Sequence, residues 1–102
     1  MAEAELAPST VASVVLDIGG DVGALVLHAA AERFGDEIDL NPDDPARPHT
    51  HSAVRERRVG SQRRYAAVYP ELLKGSYTLA GSGQRVTIEG GRITELTYEP
   101  AK

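Results

Sequence analysis

The chain has 102 residues, enough for one domain and no more. It contains no cysteine, which excludes disulfide scaffolds and thiolate chemistry, and its net charge of −4 argues against general affinity for nucleic acid. No apolar run approaches the roughly 20 residues of a membrane span, and the first residues are acidic where a secretory signal would be basic, so we expect a cytoplasmic protein.

The chain begins with a segment that has no periodicity, residues 1–10, where we expect a flexible tail. Two apolar runs follow, at residues 11–18 and 22–29, and Gly19-Gly20-Asp21 separates them. Short aliphatic runs on either side of a Gly-Gly-Asp sequence predict two strands joined as a β-hairpin.

The next segment has weak helical character and then a strand pattern. We expect at most one helical turn near Ala30, because Gly35 follows the short alanine-rich stretch. Ile38 and Leu40 alternate with acidic residues, which predicts a strand over residues 36–40. Three prolines then mark residues 41–48 as a loop.

The second half of the chain is dominated by strand patterns. Residues 49–59 form a long polar, arginine-rich segment that we interpret as one strand at or near a sheet edge, where charges discourage unwanted pairing. A turn at residues 60–62 leads into another strand, which Pro70 is expected to end. The candidate strands are 11–18, 22–29, 36–40, 49–59, 64–69, 76–80, 84–89 and 92–98.

The most specific pattern lies in the C-terminal third. Leu72-Leu73-Lys74-Gly75-Ser76-Tyr77-Thr78-Leu79 precedes Val86-Thr87-Ile88, Gly90-Gly91 and an apolar run from Ile93 to Tyr98. This part of the chain resembles the end of prealbumin-like (transthyretin-like) sandwiches, such as carboxypeptidase regulatory-like domains. The resemblance implies that Tyr77 buries its ring and bonds the backbone through its hydroxyl, as in a tyrosine corner.

Strand spacing and this resemblance together predict an all-β fold. We expect a prealbumin-like or immunoglobulin-like antiparallel β-sandwich of seven or eight strands, formed by residues 11–99 as a single domain. The predicted core residues are Val14, Leu16, Ile18, Leu25, Leu27, Ile38, Leu40, Val54, Val68, Tyr77, Leu79, Val86, Ile88 and Leu96.

The whole chain also resembles short uncharacterised proteins of high-GC bacteria that share a Leu-Asp-Ile-Gly-Gly-Asp stretch, here residues 16–21. Some members of that group are labelled phospholipase, which implies a hydrolase. The sequence has no Gly-x-Ser-x-Gly nucleophile elbow to support that activity.

Charge is distributed unevenly along the chain. Residues 1–54 carry ten acidic and two basic side chains, whereas residues 55–102 carry five acidic and nine basic ones. Five of the nine arginines lie in one predicted hairpin, and they are the candidate partner-binding residues Arg55, Arg57, Arg58, Arg63 and Arg64. Guanidinium groups so concentrated could dock an acidic partner or phosphate, or they could pair with neighbouring acidic strands, and both interpretations remain open here.

A second candidate site contains histidine. His49 and His51 would lie about 7 Å apart on one face of a strand, a spacing that suits two ligands of Zn²⁺ or Cu²⁺. His28 could complete such a site, with a carboxylate chosen from Asp17, Asp21, Asp43 or Asp44.

These observations support three functional hypotheses. The first is a non-catalytic binding or accessory module that acts through a charged face or a sheet edge, on a protein partner or a second copy of itself. The alternative is a small metal-binding protein that uses the His-x-His segment, and the third is the hydrolase that the second resemblance implies. For the first hypothesis we expect no cofactor and no nucleic-acid partner.

Overall fold

Two four-stranded β-sheets pack face to face in the computed structural model, which describes residues 18–100. The strands are β1 (Val22–Ala29), β2 (Glu37–Pro42), β3 (Thr50–Ala53), β4 (Arg55–Val59), β5 (Gln62–Leu73), β6 (Gly75–Leu79), β7 (Arg85–Ile88) and β8 (Ile93–Thr97). A 3-10 turn at Ala31–Arg33 matches the single helical turn expected near Ala30. The predicted all-β sandwich is confirmed.

The strand order is β4-β5-β1-β8 in sheet A and β3-β2-β6-β7 in sheet B. Strands β1 and β8 run parallel, and the other paired strands run antiparallel. Within residues 18–100, β4 and β8 are therefore the edges of sheet A, and β3 and β7 are the edges of sheet B. Over the same range, no helix is long and apolar enough to cross a membrane.

The core lies between the sheets because apolar side chains alternate along the strands that face it. Ile38 and Leu40 on β2 are buried while Glu37 and Asp39 are exposed, as their spacing predicts. The other predicted core residues that the structure buries between the sheets are Leu25, Leu27, Val54, Tyr77, Leu79, Val86 and Ile88. Val68 is buried in a separate small cluster with Val26 and Ala66, so its assignment to this core is wrong. Leu96 packs against the core and Ile18 is half-buried, whereas Val14 and Leu16 lie outside the described residues.

Tyr69 joins the two sheets through the middle of the core. It lies on β5 in sheet A and is 2% exposed. Its hydroxyl donates a 2.6 Å hydrogen bond to the carbonyl oxygen of Ile38 on β2, in sheet B. The core prediction omitted this residue, although it is one of the largest fully buried side chains.

The tyrosine corner expected at Tyr77 is present. Its ring is buried, and its hydroxyl donates a 2.6 Å hydrogen bond to the carbonyl oxygen of Leu73, four residues earlier. The chain turns sharply between β5 and β6 at Gly75, where φ is +145°, a conformation that favours glycine. A side-chain carbon at this position would also lie 2.8 Å from Nη1 of Arg47.

Residues 49–59 form two strands, and the prediction of one continuous strand is wrong. β3 belongs to sheet B and β4 to sheet A, and the chain crosses between the sheets at Val54, which is fully buried. The Ser52 hydroxyl donates to the carbonyl oxygen of Val68 on β5 at 2.8 Å, which fixes the position of this crossing. Both segments lie at sheet edges, as the charge pattern indicates.

Of the hairpin predicted around Gly19-Gly20-Asp21, the described residues contain strand β1 and a bridge between Gly19 and Val22. Beyond that bridge, β1 is paired with β5 on one side and with β8 on the other. Residues 11–17 of that predicted strand, and the tail expected at residues 1–10, lie outside the described residues.

Pro70 does not end β5, which continues to Leu73. Its ring can sit inside the strand because β4 pairs with β5 only as far as Ala66, which leaves no ladder on that side for Pro70 to interrupt. On the other side, the register with β1 shifts between Gly23 and Leu25, directly opposite Pro70. A β-bulge of this kind is a position where proline is tolerated.

Candidate partner-binding surface

The five candidate arginines lie on the β4–β5 hairpin, as the sequence predicts, but they divide between two faces of sheet A. Strand β5 alternates, so Ala67 faces the core while Arg64 and Ala66 point to the outer side. The register pairs Arg57 with Arg64 and Arg55 with Ala66, and paired residues share a face. Arg55, Arg57 and Arg64 therefore form one cluster, which we call the outer arginine face.

The outer arginine face is electrostatically unsatisfied. Arg57 and Arg64 are directly opposed across the two strands, where like charges repel. Burial lowers the pKa of the Arg57 guanidinium, and the charge of Arg55 lowers it further. Among the described residues, the buried Nε of Arg57 has no hydrogen-bond partner, and Arg64 Nη2 donates to the neutral Oε1 of Gln62 at 3.2 Å. Within residues 18–100, none of the three arginines forms an ion pair with a carboxylate.

The other two arginines have a carboxylate partner. Arg58 and Arg63 are paired across the hairpin on the core-facing side of sheet A, where both remain exposed. Glu56 Oε2 lies 3.8 Å from Arg58 Nε and 3.4 Å from Arg63 Nε. This trio carries a net charge of +1, compared with +3 for the outer arginine face. The ion-paired interpretation of the arginine hairpin thus holds for one face of it.

His28 lies on the same outer side of sheet A, toward the opposite edge. It follows Val26 by two residues on β1, and Val26 packs with Ala66 and Val68 in a small buried cluster on that side. His28 Nε2 lies 2.7 Å from Glu95 Oε1 on β8, a residue 67 positions away along the chain. The outer side of sheet A therefore has a basic end on β4 and a His–Glu pair at β8.

His49 and His51 are not brought together with His28. His51 is opposite Asp39 on the outer side of sheet B, with its Nε2 3.9 Å from Glu37 Oε1, so the whole core separates it from His28. His49 precedes β3, which begins at Thr50, so the expectation that both histidines lie on one strand is wrong. Its side chain lines a groove beside Tyr77 instead.

The carboxylates considered as further metal ligands are engaged elsewhere. Asp21 pairs with Lys74 at 3.2 Å, Asp43 pairs with Arg85, and Asp44 lies 3.9 Å from the guanidinium of Arg47. Asp17 lies outside the described residues. In the part of the chain that the structure describes, no three histidine or acidic side chains are grouped so that they could hold a metal ion.

Sequence reasoning located the arginine hairpin but missed its division into two faces and the pair of His28 with Glu95. The division could have been found from the turn. A two-residue turn at Gly60-Ser61 places Val59 opposite Gln62, which fixes the other cross-strand pairs of the hairpin and therefore the face on which each arginine lies. No local signal predicts the His28–Glu95 pair, because it arises from parallel pairing of the first and last described strands.

Comparison of this chain with protein-family models, curated proteins and solved structures gave no match.

Proposed function

We propose that this protein is a non-catalytic binding module that docks an acidic protein surface on its outer arginine face. The observation that carries the proposal is the charge of that face, because Arg55, Arg57 and Arg64 share it and no carboxylate of the described residues forms an ion pair with them. An acidic partner would supply the missing acceptors through charge-assisted hydrogen bonds, which are stronger than neutral ones.

Relief of repulsion adds to the attraction. Arg57 and Arg64 stay opposed in the unbound protein, so an anion placed between them removes an unfavourable interaction while it forms favourable ones. Arg57 is half-buried, which weakens the screening of its charge by salt and strengthens its interaction with a partner. Binding should therefore depend on these particular arginines and not on the net charge of the chain, which is negative.

We also infer that the sandwich is prealbumin-like. The Tyr77 corner, strand β7, the Gly90-Gly91 turn and strand β8 follow one another in the order that the resemblance implies. Such a scaffold hosts many functions, so the binding specificity must come from the outer arginine face.

A triple substitution of Arg55, Arg57 and Arg64 by glutamine is expected to weaken binding to immobilised poly-L-glutamate by about tenfold or more. The wild-type affinity should fall as salt is added, and the variant should lose most of that dependence. Thermal unfolding should change little, because these side chains form no ion pair within residues 18–100 that the substitution would break.

The matched control replaces Arg33, Arg85 and Arg92 by glutamine. Each of these forms an exposed ion pair, with Asp36, Asp43 and Glu89 respectively. Both variants lose three positive charges, which takes the net charge from −4 to −7. Equal weakening of binding in the two variants would show that net charge alone is responsible, and the proposal would be wrong.

A further inference from the structure

The arginine hairpin presents an open backbone edge as well as charge. The backbone N–H and C=O of Val54 point away from β5. The N–H donates to the carbonyl oxygen of Asp36 and the carbonyl accepts from the N–H of Gly35, both at 2.9 Å. Backbone groups alternate along a strand, so those of Glu56 and Arg58 also point away from β5, whereas those of Arg55 and Arg57 point toward it. Among the described strands, none pairs with this side of β4.

Positive charge surrounds this edge on both sides of the sheet. Arg55 and Arg57 project on the outer side, and the Glu56–Arg58–Arg63 trio, with its net charge of +1, projects on the other. Charged edges discourage pairing with a second copy of the same edge, because like charges would then be juxtaposed. The same positive charges attract an acidic strand. Repulsion of a second copy and attraction of an acidic partner together determine which strand binds.

The opposite edge of sheet A is partly closed by the protein itself. The side-chain amide of Gln84 donates to the carbonyl oxygen of Thr97 and accepts from the N–H of Glu99, both at 2.9 Å. These are backbone groups on the side of β8 that faces away from β1, because the intervening Tyr98 N–H bonds His28 on β1. Gln84 thus occupies positions that an added strand would need, and β4 has no such cover within residues 18–100.

We infer that β4 accepts an extended acidic segment of a partner protein as an additional strand of sheet A. The segment would bond the outward backbone groups of Glu56 and Arg58 and place carboxylates at alternate positions beside Arg55 and Arg57. This is the β-augmentation mode of peptide recognition, in which main-chain bonds supply affinity and alternate side chains supply specificity. The inference rests on the proposed function and specifies the partner as an extended strand.

The test uses the wild-type protein and a short capped peptide in which glutamate alternates with valine. Two derivatives carry equal numbers of N-methyl groups, on the valines in one and on the glutamates in the other. Methylation removes backbone donors on only one edge of the peptide strand in each case, and charge is unchanged. We expect one derivative to lose about tenfold or more in affinity while the other binds nearly as the parent peptide does.

Which derivative fails reports the direction of the added strand, since the residues that face the edge differ between parallel and antiparallel pairing. Equal binding of both derivatives at the parent affinity would overturn strand addition. If the triple arginine variant then still lost poly-L-glutamate binding, docking on the outer arginine face would stand without it. If binding were insensitive to those arginines, the proposed function itself would fail.

Discussion

Replacement of Tyr69 by alanine is expected to lower the free energy of unfolding by about 3–5 kcal/mol, a large part of the stability of a domain of this size. The ring lies in the core with 2% of the residue exposed, so its removal leaves a cavity between the sheets. The hydrogen bond to Ile38 on the other sheet is lost as well. Chemical denaturation monitored by circular dichroism measures the change.

Replacement of Tyr69 by phenylalanine keeps the ring and removes the hydrogen bond to Ile38. We expect it to lower the free energy of unfolding by about 1–2 kcal/mol. Burial raises the pKa of the Tyr69 hydroxyl well above its ordinary value, so the folded state retains the proton that the unfolded state releases. The protonated Tyr69 hydroxyl stabilises the fold fully at pH values below about 10, its pKa in the unfolded chain. This stabilisation is lost as the pH rises toward the higher pKa of the folded state. Unchanged stability in both variants would show that Tyr69 does not link the sheets.

Replacement of Tyr77 by alanine is also expected to cost about 3–5 kcal/mol, and replacement by phenylalanine about 1 kcal/mol. The ring is buried in the same core, and the hydroxyl secures the end of β5 through the carbonyl oxygen of Leu73. The ratio of the two effects separates the contribution of ring packing from that of the corner hydrogen bond.

A useful control for Tyr77 is Phe34, which is exposed. Its ring packs edge-to-face against that of Tyr65, with 6.2 Å between the ring centroids. Replacement of Phe34 by alanine should lower the free energy of unfolding much less than replacement of Tyr77 by alanine, because little buried apolar area is lost. Comparable losses at the two positions would contradict the assignment of Tyr77 to the core.

Local patterns predicted those parts of the fold that local physics determines. Alternation at Ile38 and Leu40 was sufficient to identify β2, because an exposed acidic residue separates two buried ones. The resemblance in the C-terminal third led to the Tyr77 corner, whose partner Leu73 is four residues away. Each of these features depends on neighbours close in sequence.

Features that depend on tertiary packing were missed. In residues 49–59, Ala53 and Val54 interrupt a polar segment, but one buried residue within a strand pattern does not by itself mark a crossing between sheets. The crossing arises because buried Val54 fills the core at the corner. Pro70 predicts the end of β5, yet the limited extent of β4 and the β-bulge against β1 together make proline tolerable inside the strand. The candidate surface shows the same contrast. The sequence predicts the arginine-rich hairpin, but the face on which each arginine lies follows from the register of β4 and β5.

The most direct test of the binding surface is a titration of isotope-labelled protein with poly-L-glutamate, followed by amide nuclear magnetic resonance shifts. We expect the largest shifts on β4 and on the part of β5 that pairs with it, from Arg55 to Ala66, and we expect them to vanish as salt is raised. Shifts concentrated on the outer side of sheet B, around Asp39 and His51, would contradict this expectation.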